Sequence, residues 1–593
     1  MDETWVDFSK ELKRRLSRAS WVPLHMSIEN RSKSHLGLGS WGEYKGAHSL
    51  LVPLSDRDKG ESYNWSSNMG ANSYAGKDWY KPADIYQYNE KQDLGFHLIL
   101  TQRVPGHDED IWHLHPDLLI ALKLVREGDV WKRPAEGWCD VIKLHRNYQG
   151  EPCLIEIRSE HLRDYLCARQ AALRIATFRE RHATIADVVG MQESNDEIDF
   201  EGGRISRVTV AVDSDGHPHG SGVAFFKVGR TDVDADDDVP IMGPYTDENT
   251  KSENYSFTRG GDRFWRISLD YWRDEWIEPG NYSPRVRYDK GNSSIDFITE
   301  ADGTRQTATE LCDEDIGRWL WFKPDVINAL LDLRGTSLTF YTKDTGGLAT
   351  PADSGIHFGI NESGLINVYA YDIARLEEWH CRLWAGFNVT PEGKVCAELL
   401  ASQVECEPAK THAPEKFLGN EILRFRDISA QKFGKPLIRI HNDFDEILNR
   451  CHRFRALTEH GVLSLAKDCA RLTADSFDKK ALKAALISLG YDNTEFETLG
   501  SLKILEKILQ HECGTVLGSR IMGPLFACYE LRLSDAHLPK SDREEAEAIL
   551  GISSDDRSHQ KGHKLLHWLV SSLAAINVTM SDRERAQGDL RSE

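Results

Sequence analysis

The chain lacks the features of an exported or membrane-spanning protein. No run in its 593 residues approaches the ~20 consecutive apolar residues that cross a bilayer. The start, Met1-Asp-Glu-Thr-Trp5, has no charged segment followed by an apolar one, so we expect no signal peptide. The eleven cysteines are scattered and include no Cys-x-x-Cys pair, which argues against a disulfide framework or a four-cysteine zinc site. These absences predict a cytoplasmic protein with free thiols and no membrane partner.

Positive charge is scarce as well. Lys and Arg total 73 against 94 Asp and Glu, which gives a net charge of −21 at pH 7. An excess of this size disfavours a surface that coats nucleic acid, although a local basic pocket is compatible with it. The phosphate loop Gly-x-x-x-x-Gly-Lys-Ser/Thr and the nucleophile elbow Gly-x-Ser-x-Gly are also missing. We therefore expect neither nucleotide hydrolysis nor a cofactor.

Four landmarks recur in the same order along the first two thirds of the chain. Each set has an Asp-Glu-Asp-Ile motif, a Pro-Asp helix start, an Asn-x-x-Gly turn, and an apolar strand that leads into a helix. The paired positions are 108–111 and 313–316, 116–122 and 324–330, 147–150 and 361–364, and 153–157 and 365–369. This order predicts a tandem duplication.

Each repeat has the pattern of a mixed α/β module with a largely antiparallel sheet. In the first module, the helical spacing of apolar residues from His161 to about Ala183 predicts a closing helix. We place the first module, with an N-terminal helix, at residues 1–190 and the second at residues 205–410. The sequence thus predicts an α+β protein.

The last third of the chain changes to helical periodicity. Two prolines and several polar residues interrupt both neighbouring patterns in the linker at 405–419. Apolar residues then recur at helical spacing in several segments, including 502–509, 521–533 and 562–576. We place an all-α bundle at residues 420–593.

One segment of this bundle carries Arg532, four intervening residues and His537. This spacing in a small helical bundle resembles the signature of HEPN domains. The resemblance implies a bundle that forms homodimers, in which Arg532 and His537 from both partners would make a composite site for RNA cleavage without a metal ion. His can act as general acid or base near neutral pH, and Arg can stabilise charge on phosphate. The chain departs from the family pattern at Leu533, where a polar residue usually follows the Arg.

Other residues offer competing interpretations. Arg455 with His460 and Arg557 with His563 have similar spacing, and His559, His563 and His567 share one helix face where zinc could bind. No Glu follows His563, so the His-Glu-x-x-His pattern is absent. Clustered Trp residues with arginines between them suit a core or a ligand groove. The arginines are Arg263, Arg266 and Arg273, and the Trp residues are Trp265, Trp272, Trp276, Trp319, Trp321, Trp379 and Trp384.

Three functional hypotheses follow. The first is a sensor and effector protein of prokaryotic antiviral defence. Its N-terminal modules bind a protein or ligand, and its bundle, with Arg532 and His537, is a metal-independent endoribonuclease. The second is a non-catalytic scaffold with a dimerising bundle. The third is metal-dependent hydrolysis through the histidines at 559, 563 and 567.

Overall fold

The computed structural model describes the greater part of the chain. The described residues are 15–33, 37–64, 74–75, 77–78, 80–82, 86–88, 92–102, 104, 106, 110–186, 189–232, 244–289, 295–351, 353–407, 409–492, 496–534 and 540–581. The chain forms two compact units, the first of residues 1–134 and 139–291 and the second of residues 135–138 and 292–593. Large antiparallel sheets and a C-terminal concentration of helices confirm the predicted α+β class.

The first unit is built on a sheet of ten strands. Its strands are β1 Trp21–Lys33, β2 Trp41–Pro53, β3 Tyr74–Ala75, β4 Tyr80–Lys81, β5 Tyr86–Tyr88, β6 Gln92–Gly95, β7 Ile99–Gln102, β8 Ile111–Leu114, β9 Val125–Glu127, β10 Val130–Arg133, β11 Cys139–Arg146, β12 Pro152–Arg158, β13 Ala171–Ala186, β14 Ser194–Phe200, β15 Gly203–Val212, β16 Gly222–Arg230, β17 Thr250–Thr258 and β18 Phe264–Ile277. Its α-helices are α1 Arg57–Gly60, α2 Pro116–Ala121 and α3 Ser159–Arg169. The large sheet has the order β14-β15-β18-β13-β2-β1-β12-β11-β10-β9, with antiparallel neighbours throughout.

The closing helix predicted from His161 to about Ala183 ends early, and the prediction is wrong beyond Arg169. Gln170 adopts the left-handed conformation with φ 51°, which stops the helix and turns the chain. From Ala171 the chain forms β13, which pairs along its length with β2 on one side and β18 on the other. Residues 171–176 at the start of β13 are all buried, so both faces are covered there and the run has no alternation that would distinguish it from a helix.

The ten-stranded sheet extends past residue 190, because β14, β15 and β18 all belong to it. Strand β15 covers residues that the sequence assigned to the start of the second module. Residues 1–14, the first part of the chain, where the N-terminal helix is predicted, lie outside the described residues.

The second unit joins a six-stranded sheet and its helices to the helical bundle. The strands are β19 Asp296–Ile298, β20 Arg305–Thr307, β21 Trp319–Phe322, β22 Ser337–Phe340, β23 Thr345–Thr350, β24 Asp353–Ile360, β25 Ile366–Tyr369 and β26 Asn388–Val389. The helices beside the sheet are α4 Ala308–Leu311, α5 Asp325–Leu331, α6 Ala370–Ala374, α7 Glu378–Ala385 and α8 Ala397–Leu400. The sheet order is β22-β23-β24-β25-β21-β26, again antiparallel.

The bundle contributes the other helices of this unit. They are α9 Leu418–Phe433, α10 Phe444–Arg450, α11 Glu459–Leu472, α12 Lys479–Ser488, α13 Ser501–Cys513, α14 Thr515–Ser534, α15 Lys540–Ile549 and α16 Ser558–Met580. Their apolar faces form one continuous core, and α14 packs against α11, α13, α15 and α16. Among the described residues, no helix combines the length and apolar character needed to cross a membrane.

Three of the four repeated landmarks lie on equivalent elements in the two units. In each, a short helix is followed by an antiparallel meander of four strands and a second helix: α2, β9–β12 and α3 in the first unit, and α5, β22–β25 and α6 in the second. The two Asn-x-x-Gly turns have the same hydrogen bond, from the Gly150 N–H to the Asn147 carbonyl at 3.0 Å and from the Gly364 N–H to the Asn361 carbonyl at 2.8 Å. The two meanders therefore share their order and their turn chemistry.

The strand beside each meander reveals where the repeats differ. Trp21 of β1 pairs with Arg158 at the end of β12, as Trp319 of β21 pairs with Tyr369 at the end of β25. Strand β21 leads directly into α5, whereas β2 to β8 intervene between β1 and α2. In the first Asp-Glu-Asp-Ile motif, residues 108 and 109 lie outside the described residues and Ile111 begins β8, which pairs with β7. In the second motif, Glu314–Ile316 form a 3-10 helix before β21. The counterpart of β21 is therefore β1, and the first unit carries an insertion between these two elements.

The two turn asparagines give a matched stability prediction. In each turn the Asn side-chain oxygen accepts hydrogen bonds from backbone N–H groups. Asn361 is also buried, and its Nδ2 donates to the carbonyls of Glu392 and Lys394 at 2.8 and 3.1 Å. Asn361→Ala leaves buried backbone groups without partners, so we expect a local loss of about 2–3 kcal/mol, against about 1 kcal/mol for Asn147→Ala. Hydrogen exchange of peptides spanning each turn measures both values. Equal losses at the two turns would contradict this account.

Candidate functional site

Arg532 lies in the last turn of α14, at the rim of the bundle. Its Nη1 donates a hydrogen bond to Oδ1 of Asp475 at 2.7 Å, and the guanidinium carbon lies 5.3 Å from the ring centroid of Tyr529. The side chains of Arg532 and Asp475 are 30 % and 32 % exposed. The contacts with Asp475 and Tyr529 therefore orient the Arg532 side chain, which is still partly exposed to solvent.

Among the described residues, the ion pair with Asp475 leaves hydrogen-bonding capacity on Arg532. Its bond to Asp475 uses Nη1, whereas a guanidinium carries five N–H donors in a planar fork. A phosphate oxygen could bind the remaining donors beside Asp475 or compete with that carboxylate. The geometry suits an anion-binding role, and the acidic partner reduces the local positive charge.

The second predicted site residue, His537, is one of residues 535–539, which lie outside the described residues. Among the described residues, helix α14 ends at Ser534 and α15 begins at Lys540. The predicted pairing of Arg532 with His537 stays a prediction.

The two competing Arg and His pairs lie elsewhere in the second unit. Arg455 and His460 are both exposed, the first in a 3-10 helix at Arg453–Ala456 and the second in the first turn of α11. Arg557 Nη1 donates to the Glu362 carbonyl at 3.2 Å, which ties the start of α16 to the Asn361 turn.

The histidine stripe of α16 runs from a buried contact to solvent. His559 is buried against Gly364, where an added Cβ would lie 2.4 Å from the imidazole Cε1. His563 is half-buried and stacks with the exposed His567, their ring centroids 6.1 Å apart. Among the described residues, these three do not form a set whose ligand atoms all lie within 4.8 Å of one another. The stripe fits a packing role against the second sheet better than a zinc site.

The seven clustered tryptophans, for which the sequence suggested a core or a ligand groove, are divided between the two units. Trp265, Trp272 and Trp276 lie on β18 in the first unit, where Arg263 stacks over Trp265 at 4.7 Å. Trp265 is 1 % exposed and belongs to a core. The other tryptophans of the group lie in the second unit.

A buried ion pair that the sequence analysis did not single out lies where the bundle meets the second sheet. Nε and Nη2 of Arg453 donate to Oε1 and Oε2 of Glu415 at 2.7 and 2.9 Å, with both side chains at least nine-tenths buried. The third arm, Nη1, donates to the Lys343 carbonyl at 2.7 Å, and the guanidinium stacks 4.6 Å over Phe340. This arrangement uses all three guanidinium nitrogens of Arg453 in contacts within the protein.

Three histidines surround this pair: His452, His559 and His563. Burial, aided by the positive charge of Arg453, lowers the pKa of His559 to about 4 and that of His563 to about 3. Burial likewise lowers the pKa of His452 to about 4, although Glu415 acts in the opposite direction. These histidines are neutral in the folded protein near pH 7.

Comparison of the chain with protein-family models, with curated proteins and with solved structures gave no match. The interpretation of the site therefore rests on its geometry and on the motif resemblance.

The two arginines should differ sharply in their effect on stability. Arg453→Met leaves the Glu415 carboxylate buried without its partner, so we expect the bundle to lose about 3–5 kcal/mol. Arg532→Ala removes a pair that is partly exposed, so we expect less than about 1 kcal/mol. Hydrogen exchange of peptides from α11 and α14 measures both losses. A similar loss in the two variants would refute the structural role of the Arg453 pair.

The buried histidines predict an acid-sensitive bundle. Their pKa values in the folded state lie below the ordinary value of about 6.5, so the unfolded chain binds more protons as the pH falls below that value. Stability is therefore complete above about pH 6.5 and decreases towards about pH 3. Between pH 7.5 and 5.5 we expect a loss on the order of 1 kcal/mol for each histidine. Exchange of α16 peptides at several pH values checks the slope, which His563→Leu should reduce, with His567→Gln as the control on the same helix.

Proposed function

We propose that this is a cytoplasmic two-part protein whose helical bundle cleaves RNA without a metal ion. Its N-terminal modules would bind the ligand or protein that controls cleavage, as in prokaryotic antiviral defence. The observation that carries the proposal is the position of Arg532, held at the bundle rim by Asp475 and Tyr529 with donors remaining for an anion. The HEPN-like spacing to His537 and the all-helical surroundings support it.

The chemistry needs a base, an acid and a stabiliser of negative charge. In the proposed reaction His537 takes the proton from a ribose 2′-hydroxyl, and the resulting oxygen attacks the adjacent phosphorus. The bond from phosphorus to the 5′-oxygen then breaks, and that oxygen leaves with a proton donated by an imidazolium. Arg532 stabilises the extra negative charge on the phosphate oxygens in the transition state. The products are a 2′,3′-cyclic phosphate and a 5′-hydroxyl.

The acidity of the chain constrains where RNA could bind. With a net charge of −21, attraction to the phosphate backbone has to come from a local arrangement of cations. Two bundles in a homodimer would bring two copies of Arg532 to one site, which doubles the cationic donors there. Composite sites of this kind are what the HEPN resemblance implies.

A non-catalytic scaffold is the second candidate, and one observation favours it. Arg532 is already hydrogen-bonded to a carboxylate at 2.7 Å, as a structural surface arginine would be. In that case the pair fixes the end of α14 against the segment between α11 and α12, and the bundle functions in dimerisation alone.

Cleavage of a labelled single-stranded RNA in EDTA distinguishes the two candidates. The nuclease proposal expects fragments ending in cyclic phosphate, with at least a hundredfold loss of rate in Arg532→Ala and in His537→Ala. The matched control is Arg450→Ala, because Arg450 is another arginine of the bundle in an ion pair with Glu446 at 2.7 Å. Its rate should remain within twofold of the wild-type rate.

The Asp475→Asn variant tests whether Asp475 only positions Arg532 in the proposed reaction. If Asp475 only positions Arg532, this variant should keep the pH profile set by His537 and lose part of the rate.

Cleavage that is unchanged in Arg532→Ala and His537→Ala, or absent from the pure wild-type protein and its dimer, would refute the nuclease and leave the scaffold.

A further inference from the structure

Cys139 and His161 bring a thiol and an imidazole together in the first unit. Cys139 is the first residue of β11, and His161 lies in the first turn of α3. Because β11 and β12 pair antiparallel, the start of β11 lies beside the end of β12, where α3 begins. Sγ of Cys139 lies 3.9 Å from Nε2 of His161. The sheet register therefore places two side chains of metal-binding type next to each other.

The backbone on both sides of this pair is fixed. Nε of Arg158, the last residue of β12, donates a hydrogen bond to the Asp140 carbonyl at 2.5 Å, which joins the start of α3 to the start of β11. His161 is completely buried, and Cys139 is half-buried against the core of the large sheet. A buried imidazole keeps one orientation, so the thiol and the ring nitrogen are held facing each other.

A carboxylate belongs to the same group of side chains. Glu136 precedes Cys139 by three residues and ends a 3-10 helix at Pro134–Glu136. One carboxylate oxygen of Glu136, Sγ of Cys139 and one imidazole nitrogen of His161 all lie within 4.8 Å of one another. Within the described part of the chain, this is the one set of three His, Cys, Asp or Glu side chains with that geometry. Oxygen, sulfur and nitrogen donors therefore surround one position.

The donor types and their spacing suit zinc. Thiolate, imidazole and carboxylate are the ligands that Zn²⁺ takes in proteins, whereas Ca²⁺ and Mg²⁺ take oxygen ligands. Zn–S bonds of about 2.3 Å and Zn–N bonds of about 2.0–2.1 Å separate sulfur and nitrogen by about 3.6 Å in a tetrahedral site. The 3.9 Å between Sγ of Cys139 and Nε2 of His161 is close to that value. A small shift of either side chain therefore admits the ion.

Glu160 lies on the other side of the imidazole. Its Oε1 is 3.8 Å from Nδ1 of His161. A carboxylate near the second ring nitrogen is the common partner of a zinc-binding histidine, because it favours the tautomer with the proton on that nitrogen. Nε2 then carries the lone pair, and Nε2 is the nitrogen that faces Cys139. The ring is therefore oriented for a metal ion on the Cys139 side.

We propose that Glu136, Cys139 and His161 bind a zinc ion and that Glu160 is a positioning residue for His161. The ion takes Sγ of Cys139, Nε2 of His161 and a carboxylate oxygen of Glu136, and a water molecule fills the fourth tetrahedral position. Binding releases the thiol proton to solvent, so the affinity falls as the pH decreases. The site does not depend on the RNA chemistry proposed for the bundle.

Alkylation of the wild-type full chain tests the site without any substitution. Zinc engages the Cys139 sulfur, so we expect a saturating concentration of Zn²⁺ to slow its reaction with iodoacetamide at least about tenfold. Cys153 is the internal control, because it is also half-buried, in the neighbouring strand β12, but its thiol donates to the His145 carbonyl at 3.4 Å. Mass spectrometry of the two cysteine peptides measures both rates. Equal protection of the two cysteines, or protection of neither, would overturn the proposal.

Zinc affinity identifies the ligands. The full chain is stripped with EDTA and titrated with Zn²⁺ against a chromophoric chelator, and we expect one tightly bound ion per chain. Cys139→Ser, His161→Gln and Glu136→Gln should each raise the dissociation constant, the first two at least about a hundredfold. Cys153→Ser and His567→Gln are the controls and should leave it unchanged. An affinity that Cys139→Ser and His161→Gln leave intact would also overturn the proposal.

Cobalt absorption separates the ligand from the positioning residue. With Co²⁺ in place of zinc, a thiolate ligand gives a sulfur-to-metal charge-transfer band in the near ultraviolet. We expect this band in the wild-type chain and in Glu160→Gln, which keeps the thiolate but binds zinc about tenfold more weakly. Cys139→Ser should lack it. A cobalt-loaded wild-type chain without the band would exclude Cys139 as a ligand and overturn the proposal.

Discussion

The second unit depends on the buried pair of Arg453 and Glu415. Burial raises the pKa of Glu415, but the charge and hydrogen bonds of Arg453 outweigh it and hold that pKa below the ordinary value. The carboxylate is therefore ionised and needs its cation. Because Arg453 also binds the Lys343 carbonyl and stacks on Phe340, one side chain joins the linker, the sheet and the bundle. If the linker, the sheet or the bundle moved, a buried charge would become exposed or lose its partner.

The same junction explains the histidines that sequence spacing had suggested for metal binding. Phe454, next to Arg453, stacks on Phe340 at 6.0 Å within the core of the second sheet, so the bundle contributes an aromatic ring to that core. The first turns of α16 lie over this contact, and His559 is enclosed there against Gly364. A buried imidazole beside an arginine stays neutral, which is compatible with packing. His559 and His563 therefore lie on the part of the α16 face that meets the sheet, whereas His567 reaches solvent.

The sequence was sufficient for the elements whose signals are local. The Pro-Asp helix starts, the Asn-x-x-Gly turns and the helical periodicity of the last third all correspond to described elements, because backbone chemistry at those residues determines the local structure. The start of β13 was mistaken for helix because residues 171–176 are all buried, which removes the alternation that identifies a strand. The pair of Arg453 with Glu415 was missed because 38 residues separate the partners. Nothing at either position alone distinguishes it from a surface residue.

The net charge of −21 bears on both ways in which this chain could meet another molecule. Repulsion between acidic surfaces selects against most contacts between copies and against most approaches of RNA. Contact is then favoured where the acidic excess is locally cancelled, as around a cation that faces solvent, such as Arg532. There the attraction must be electrostatic, and Asp475 already offsets part of it. RNA binding at Arg532 therefore requires a second source of positive charge.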